Sequence, residues 1–252
     1  MTDSNGIFAL HGFTGRGADF AALAADLCPG TGNWQSPDLP GHGPDALTDC
    51  SPRATLECID AVAVQHPQSR TLLGYSMGGR AALLHLLAHP ERWDHLILIS
   101  TNPGISDPTA RNMRIKEDAV LADRIETFGV DAFMKHWQEQ PLIASQENIQ
   151  TTWRDAMLTA RREHQATGLA ASLRQFGQGC FPNLWPELHK VSCPVLLLSG
   201  SLDHKYTTIA EQMKAALPFS KHQVLDGAGH MAHLEAPEQA TRIILQFLEK
   251  QA

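Results

Sequence analysis

A serine flanked by glycines lies at the centre of the pattern Gly74-Tyr75-Ser76-Met77-Gly78. An apolar run precedes the pattern at residues 71–73, and a helix-forming run follows it at residues 80–88. A turn tight enough to hold a serine hydroxyl at the end of a strand requires small residues on both flanks. The N–H groups of the following helix would stabilise negative charge there. The stretch predicts a nucleophile elbow, and the alternative is a glycine-rich turn whose serine only caps a helix.

Two residues in the second half of the chain follow predicted strands and could activate such a serine. Asp203 follows the apolar run at residues 195–199, and His230 follows a short run near Val224. Loops that follow parallel strands gather at one edge of a sheet, so Ser76, Asp203 and His230 are expected to converge. An imidazole can accept the serine proton, while a carboxylate holds the imidazole tautomer and stabilises its cation. These residues therefore predict a catalytic triad.

Other residues compete for these roles, because the chain contains 13 histidines. His233 is three residues beyond His230, and His42 lies in another glycine-rich loop. Of these histidines, His230 alone combines the glycine-rich flank with a position after a strand. Asp226 competes with Asp203, but it precedes its loop instead of following a strand end.

Backbone donors for a developing oxyanion are expected from two loops. One is the N–H of Met77, the residue after the nucleophile, and the other comes from the loop after the first strand. That loop begins with His11-Gly12-Phe13, so Phe13 is the second predicted donor, and a simple strand-to-helix turn is the alternative. His11 and His42 have no acidic or thiol companion at ligand spacing, and no metal site is expected.

Strand-forming and helix-forming runs alternate as far as residue 104 and resume at residue 194. Strands are predicted at residues 7–10, 33–37, 71–73, 95–100, 194–199 and 222–225. Residues 107–185 contain one helical run after another with no convincing strand. An interrupted alternation of this kind predicts an α/β fold, with a mostly parallel sheet, helices on both faces and a helical cap. The expected core domain comprises residues 1–106 and 186–252, and the cap comprises residues 107–185.

Composition limits the classes of partner. The chain has 252 residues, 43% of them hydrophobic, and a formal net charge of −7, with no basic tract that suits a nucleic acid. No apolar run reaches the roughly 18–20 residues of a membrane span, and the polar N-terminus is not a signal peptide. Five cysteines without a C-x-x-C pair suit a reducing compartment. We expect a cytoplasmic protein without nucleic-acid or membrane partners, as a monomer or weak oligomer.

The motifs together resemble the α/β-hydrolase superfamily across essentially the whole chain. The markers are His11-Gly12-Phe13, Asp38-Leu39-Pro40-Gly41-His42-Gly43, the elbow, Gly200-x-x-Asp203 and Gly229-His230. This resemblance implies the α/β-hydrolase fold but does not specify a reaction. In one respect the chain departs from the pattern. Its first predicted strand begins by residue 7, so the antiparallel N-terminal hairpin common in this fold is missing or trimmed.

A second group of residues resembles a narrower family. It comprises Arg80, Arg111 and Arg114, the stretch at residues 136–145, Ala160-Arg161-Arg162 and the stretch at residues 166–173. Together they resemble 2-succinyl-6-hydroxy-2,4-cyclohexadiene-1-carboxylate (SHCHC) synthase, a lyase of menaquinone and phylloquinone biosynthesis. That family eliminates pyruvate from a cyclohexene intermediate that carries several carboxylates.

The residue types suit an anionic small-molecule substrate, because the planar fork of an arginine matches a carboxylate in a partly dry pocket. The expected substrate-binding residues are Arg80, Arg114, Arg161, Trp137 and Tyr75. As alternatives, each arginine is a solvated surface side chain and Trp137 belongs to the apolar core of the cap. Whether Arg111 and Arg162 contact substrate stays open.

The resemblance implies that the triad abstracts a proton next to a carbonyl instead of transferring an acyl group, and that no cofactor is required. A serine carboxylesterase, thioesterase or C–C bond hydrolase would use the same triad, so these remain alternatives. A haloalkane dehalogenase is disfavoured because its chemistry needs a carboxylate at position 76. A ligand receptor without catalysis would not need an intact triad.

Overall fold

A single parallel sheet forms the centre of the molecule. The computed structural model describes residues 6–30, 32–44 and 47–250. Within these residues the sheet has six strands in the order β2-β1-β3-β4-β5-β6, and every neighbouring pair is parallel. The strands are β1 (Gly6–Leu10), β2 (Trp34–Gln35), β3 (Ser69–Tyr75), β4 (His95–Ile99), β5 (Val195–Gly200) and β6 (Ser220–Leu225). The expected α/β class with a parallel sheet is confirmed.

The helices cover both faces of this sheet. They are α1 (Ala21–Leu27), α2 (Pro52–Ala63), α3 (Met77–Ala88), α4 (Pro108–Gln138), α5 (Pro141–Ala144), α6 (Thr151–Arg161), α7 (Ala166–Phe176), α8 (His204–Ala216), α9 (Ala232–Glu235) and α10 (Pro237–Glu249). Four short 3-10 turns lie at Gly17–Phe20, Pro90–Arg92, Ser145–Asn148 and Trp185–Lys190. None of the helices in the described ranges is both long enough and apolar enough to cross a bilayer.

The central strands are apolar because both of their faces are buried. Successive residues of β3 show this: Leu72 packs into the apolar cluster on one side of the sheet, and Leu73 packs into the cluster on the other. Leu73 lies in register with Ala9 of β1 and Ile97 of β4, which belong to the same cluster. The continuous apolar runs therefore fix the layered arrangement that carries the loops at the strand ends.

Each strand differs from its expected bounds by one or two residues at one or both ends. The edge strand β2 is only two residues long, and β6 begins two residues earlier than expected. α8 begins at His204, directly after Asp203, because the Asp203 side chain accepts a hydrogen bond from the Tyr206 N–H and caps the first turn. β1 begins at Gly6 and pairs only in parallel fashion, while Met1–Asn5, where a hairpin was expected to be missing, lies outside the described residues.

The segment between β4 and β5 consists of helices and turns and has its own apolar cluster. α4 packs on α7 through residues that include Ile125, Phe133 and Leu169. Gly129 interrupts the 31-residue α4 with φ 79° and ψ 170°, a conformation that side chains disfavour. The division into core and cap at residues 106/107 and 185/186 stays a prediction. We refer to residues 107–185 as the cap.

Candidate active site

Ser76 lies at the sharp turn between β3 and α3, with φ 51° and ψ −108°. The backbone can turn there because the adjacent glycines allow very close contacts. A Cβ at Gly74 would lie 2.5 Å from the carbonyl oxygen of Gly78, and a Cβ at Gly78 would lie 2.0 Å from that of Leu10. Glycine is therefore required on both flanks, and the turn presents Ser76 beyond the carboxyl end of the strand.

His230 bridges Ser76 and Asp203. Its Nε2 lies 3.0 Å from Ser76 Oγ, and its Nδ1 lies 2.6 Å from Asp203 Oδ2. Asp203 and His230 are both buried, at 6% and 4% exposure. Because a carboxylate can only accept, Nδ1 carries the proton and Nε2 is left to accept from the serine hydroxyl. The arrangement can deprotonate Ser76 and stabilise the resulting imidazolium.

The competing residues lie elsewhere. His233 is fully buried, and its ring centroid is 4.9 Å from that of Tyr75. His42 packs against His11 at 4.9 Å between centroids, and Asp226 is exposed beyond β6. None of the three contacts Ser76 through a hydrogen bond in the described part of the chain.

The backbone N–H groups of Phe13 and Met77 belong to loops on either side of Ser76. Met77 is the first residue of α3, so its N–H has no acceptor within the helix. Phe13 follows Gly12, which packs so closely on Tyr75 that a Cβ there would lie 2.7 Å from the ring. Phe13, Met77 and Ser76 line one cavity. Their use as an oxyanion hole stays a prediction.

His11 holds the loop that carries Phe13. It donates from Nδ1 to the Gly12 carbonyl at 2.8 Å and accepts at Nε2 from the Leu39 N–H at 2.9 Å. Burial lowers the pKa of His11 to about 4, so the ring is neutral near pH 7. The His-Gly motif thus joins two loops of the core through a neutral imidazole.

The cavity beside Ser76 has a volume of about 710 Å³ with its open mouth included. Four of the five expected substrate-binding residues line it: Tyr75, Arg80, Arg114 and Trp137. The Trp137 ring also packs against Phe13, at 5.5 Å between centroids, and its indole N–H is buried without an acceptor among the described residues. Trp137 therefore contributes both to the cap interior and to the cavity wall.

Arg80 is a buried cation in the first turn of α3, 5% exposed. Its guanidinium donates to the Phe176 carbonyl at 3.0 Å, while Nε has no partner in the described ranges. Burial lowers the pKa of Arg80 to about 10, so it remains charged at neutral pH. No carboxylate among the described residues lies within salt-bridge distance of it. A buried charge of this kind is costly unless a ligand compensates it.

Comparison with known proteins adds to this geometry. The model of the alpha/beta hydrolase family matches residues 7–242. A Bacillus subtilis (strain 168) protein, provisionally named 2-succinyl-6-hydroxy-2,4-cyclohexadiene-1-carboxylate synthase, is 34% identical over 97% of this chain and 90% of its own length. The synthase of that name from Serratia proteamaculans (strain 568) is 30% identical over 95% and 91%. The chain belongs to the SHCHC synthase family of α/β hydrolases.

A solved structure agrees with this assignment. MenH from S. aureus superposes with a TM-score of 0.90 at 28% identity, covering 98% of this chain and 95% of that one. A thermophilic esterase from Thermogutta terrifontis superposes less closely, with a TM-score of 0.74 at 23% identity, over 97% and 89% of the two chains. The second likeness concerns the fold alone. The expected α/β-hydrolase fold is confirmed.

In this member of the SHCHC synthase family, a polar network connects the cap to His230. Arg114 pairs with Asp118 at 2.7 Å and donates to Gln178 Oε1 at 3.1 Å. Gln178 donates to the Tyr206 hydroxyl at 2.8 Å, and the Tyr206 ring lies 4.4 Å from that of His230. Burial raises the pKa of Tyr206, so it stays a neutral phenol. The network holds one wall of the cavity.

Sequence reasoning missed Gln178, Lys205 and Tyr206, which all line the cavity. Tyr206 could have been found, because it lies in the first turn of the helix that Asp203 caps, three residues further on. Gln178 lies in a glycine-rich turn after α7, and nothing in the sequence pattern distinguishes it.

Arg161 does not line the cavity. It is 3% exposed, and its Nε and one terminal nitrogen have no partner among the described residues. Burial lowers its pKa, and the nearby Asp19 opposes this effect. Burial also raises the pKa of Asp19 to about 6. Arg161 therefore lies near Asp19 and Tyr75 but not in the cavity lining, and direct substrate contact by Arg161 stays a prediction.

The two arginines whose roles were open also lie off the cavity lining. Arg111 donates to the Gly179 carbonyl at 2.9 Å and so holds the turn that precedes the last part of the cap. Arg162 is exposed at the end of α6.

One group in the described part of the chain has the spacing of metal ligands: Asp60, His85 and His89. The Trp93 indole donates to His85 Nδ1 at 2.9 Å, and His85 Nε2 lies 3.0 Å from Asp60 Oδ1. Because Nδ1 accepts, Nε2 carries the proton of the neutral ring and donates to Asp60. A protonated nitrogen cannot ligate a metal, so this group is better explained as a hydrogen-bond chain.

Proposed function

We propose that this chain is an SHCHC synthase, a carbon–oxygen lyase of menaquinone or phylloquinone biosynthesis. The reaction eliminates pyruvate from the cyclohexene intermediate SEPHCHC and leaves SHCHC. Relatives named for this activity match nearly the whole chain, and the S. aureus MenH structure superposes closely. The observation that carries the proposal within the site is Arg80, a buried cation that lines the cavity containing Ser76 and has no acidic partner within residues 6–30, 32–44 and 47–250.

The charge of Arg80 fits a substrate with several carboxylates. A carboxylate in the cavity would compensate the guanidinium and accept from its unused N–H groups. Arg114 adds a second cation, although Asp118 already pairs with it, and Lys205 adds a third at the same wall. An esterase for neutral substrates has no need of buried cationic groups beside its serine.

The proposed first step breaks a C–H bond next to a carbonyl. His230 Nε2 takes the Ser76 proton as the serine oxygen takes the proton from carbon, and Asp203 stabilises the imidazolium. The electron pair moves to the carbonyl oxygen, where the N–H groups of Phe13 and Met77 would each contribute roughly 3–4 kcal/mol. The pair then returns to the ring as the carbon–oxygen bond breaks with its electrons going to the leaving oxygen. The group leaves as the enolate of pyruvate, whose methylene carbon takes the proton from His230.

The remaining roles are to bind and orient substrate. We assign Trp137 to packing on the ring and Tyr75 to a polar contact, since both line the cavity. We assign Arg161 to orienting Tyr75 electrostatically or to meeting the substrate after a movement of the cap. The chemistry requires no cofactor. We further propose a cytoplasmic monomer or weak oligomer that acts on an anionic small molecule. The net charge of −7 argues against a nucleic-acid partner.

The direct test measures pyruvate release from substrate generated in situ, coupled to lactate dehydrogenase. The wild-type protein should release pyruvate rapidly, and Ser76→Ala should abolish release while the protein stays folded. A Ser76→Ala protein that retains most of its activity would exclude the proposed role of the serine. An absence of release from the wild type, together with turnover of p-nitrophenyl esters, would instead indicate a carboxylesterase, thioesterase or C–C bond hydrolase.

A further inference from the structure

Glu235, the last residue of α9, accepts hydrogen bonds from the backbone N–H groups of the two residues that flank His230. The Gly229 N–H donates to Oε2 at 2.6 Å, and the Met231 N–H donates to Oε1 at 3.0 Å. A third donor comes from the cap, since Ser145 Oγ lies 3.1 Å from Oε1. One carboxylate therefore contacts the loop of the proposed base on both sides and the cap at the same time.

The contact between cap and loop is close. A Cβ at Gly229 would lie 2.0 Å from Ser145 Oγ and 3.0 Å from Glu235 Oε2. A glycine at position 229 therefore leaves room for the hydroxyl and the carboxylate. Gly229 thus permits a close contact that a side chain would block, as the glycines of the elbow do beside Ser76.

We propose that Glu235 is a positioning residue that fixes the imidazole of His230, and that Ser145 connects the cap to this positioning. The inference rests on the proposed function of His230 as the base. Glu235 does not touch Ser76 or Asp203 through any hydrogen bond of the described residues, so it acts only through the backbone that carries His230.

Backbone positioning matters because few hydrogen bonds hold the imidazole itself. Its ring makes one short bond to Asp203 and the longer contact with Ser76 that must exchange a proton, and it otherwise packs against two aromatic rings. Hydrogen bonds from N–H groups to a carboxylate are shorter and stronger than neutral ones. Two of them hold the peptide planes Ala228–Gly229 and His230–Met231, on either side of the peptide that enters His230, and so restrict the backbone that directs its Cα–Cβ bond. A displacement of about 1 Å at a reacting group can cost on the order of 100-fold in rate.

The test uses Glu235→Gln and the rate at which a fluorophosphonate probe labels Ser76. Glutamine keeps the size of the side chain, but its NH₂ group would face one of the two backbone N–H donors. One of the two hydrogen bonds is then lost. We expect labelling to slow by at least about tenfold, while the melting temperature stays within a few degrees of the wild type. The downfield NMR signal of the His230 Nδ1 proton should also shift or broaden. With the lyase substrate, kcat should fall by a similar factor and KM should change less than about threefold.

Glu238→Gln is the matched control, because it makes the same charge change on an exposed residue three positions further along the chain. Its labelling rate should equal that of the wild type. Ser145→Ala removes only the cap donor, and we expect labelling to slow by about threefold, as for one weak hydrogen bond. If Glu235→Gln does not fold, the labelling rate of Ser145→Ala alone tests the proposal.

Labelling of Glu235→Gln at the wild-type rate would overturn the inference. If Glu235→Gln cannot be purified, labelling of Ser145→Ala at the wild-type rate would overturn it instead. A loss of thermal stability with an unchanged labelling rate would mean that Glu235 has a purely structural role. Labelling does not depend on the natural substrate. A wild type that reacts with the probe but releases no pyruvate therefore contradicts the lyase assignment without affecting the result for Glu235.

Discussion

Arg80 of the core donates a 3.0 Å hydrogen bond to the main-chain carbonyl of Phe176, the last residue of α7 in the cap. The same guanidinium lies 5.4 Å from the centre of the Phe181 ring. These contacts connect the side chain to the cap, and no carboxylate in the described part of the chain lies within salt-bridge distance of it. Arg80 is thus positioned before substrate arrives, and little conformational freedom remains to be lost on binding.

Replacing Arg80 should mainly weaken substrate binding. For Arg80→Ala we expect KM for the lyase substrate to rise by about 10- to 100-fold, the scale of one charge-assisted hydrogen-bonded contact. Arg80→Lys should recover only part of this loss, because an ammonium lacks the planar fork. Steady-state kinetics by pyruvate release measures both. Arg162→Ala, which changes an exposed cap arginine, is the control. An Arg80→Ala protein with normal KM would contradict carboxylate binding by Arg80.

Asp203→Asn should reduce kcat far more than it reduces stability. The asparagine oxygen can still accept from the Tyr206 N–H and cap α8, but its NH₂ group would face His230 Nδ1 and favour the wrong tautomer. We expect kcat to fall by about 10⁴-fold, as for other triads, with a nearly unchanged melting temperature. Asp226→Asn, at the exposed end of β6, should leave kcat unchanged. Equal effects of the two substitutions would be inconsistent with the proposed role of Asp203.

Local sequence patterns predicted the features that depend on strand order. Buried parallel strands are read directly as apolar runs, and the residues that follow them must meet at one sheet edge, which is where Ser76, Asp203 and His230 lie. The resemblance to the SHCHC synthase family in addition predicted the arginines expected to bind substrate, which are Arg80, Arg114 and Arg161. These inferences needed no knowledge of how the cap folds onto the core.

The positions of the cap arginines and of Gln178 depend on cap geometry. Arg114 and Arg161 lie on different cap helices, and only the packing of those helices decides that Arg114 lines the cavity while Arg161 does not. Gln178 becomes a wall residue because it bridges Arg114 and Tyr206, which are distant in sequence. The orientation of one helix relative to another produces no periodic pattern or motif spacing in the sequence, so the sequence could not predict it.

Gly78→Ala should damage the elbow. The added methyl group would lie 2.0 Å from the Leu10 carbonyl oxygen, so β1 or the start of α3 must shift. We expect a loss of about 1–3 kcal/mol in the free energy of unfolding, the usual cost of overpacking, and at least about 100-fold lower activity, because the shift would move Ser76. Urea denaturation and pyruvate release measure the two effects. Normal activity in this variant would mean that the elbow tolerates a wider turn than the glycine contacts indicate.

His233 should make the protein sensitive to acid. Its ring stacks on Phe20 at 5.1 Å between centroids, and neither ring nitrogen has a partner among the described residues. Burial, with a smaller contribution from the nearby His230, lowers the pKa of His233 to about 3. In the unfolded chain the pKa is about 6.5, so the unfolded state binds a proton that the folded state excludes. This contribution to stability is complete above pH 6.5 and is lost progressively as the pH falls towards 3.

His233→Leu should therefore reduce the slope of unfolding free energy against pH between about pH 6 and pH 4. The reduction should approach one proton, or roughly 1.4 kcal/mol per pH unit. The remaining slope belongs to other buried groups, such as His11, whose pKa is lowered to about 4. Urea denaturation at several pH values measures the slope, and His189→Leu, at an exposed histidine, is the control. If His233→Leu leaves the slope unchanged, the His233 ring must gain a proton acceptor or water contact in the folded protein, and its burial would then not be the cause of acid sensitivity.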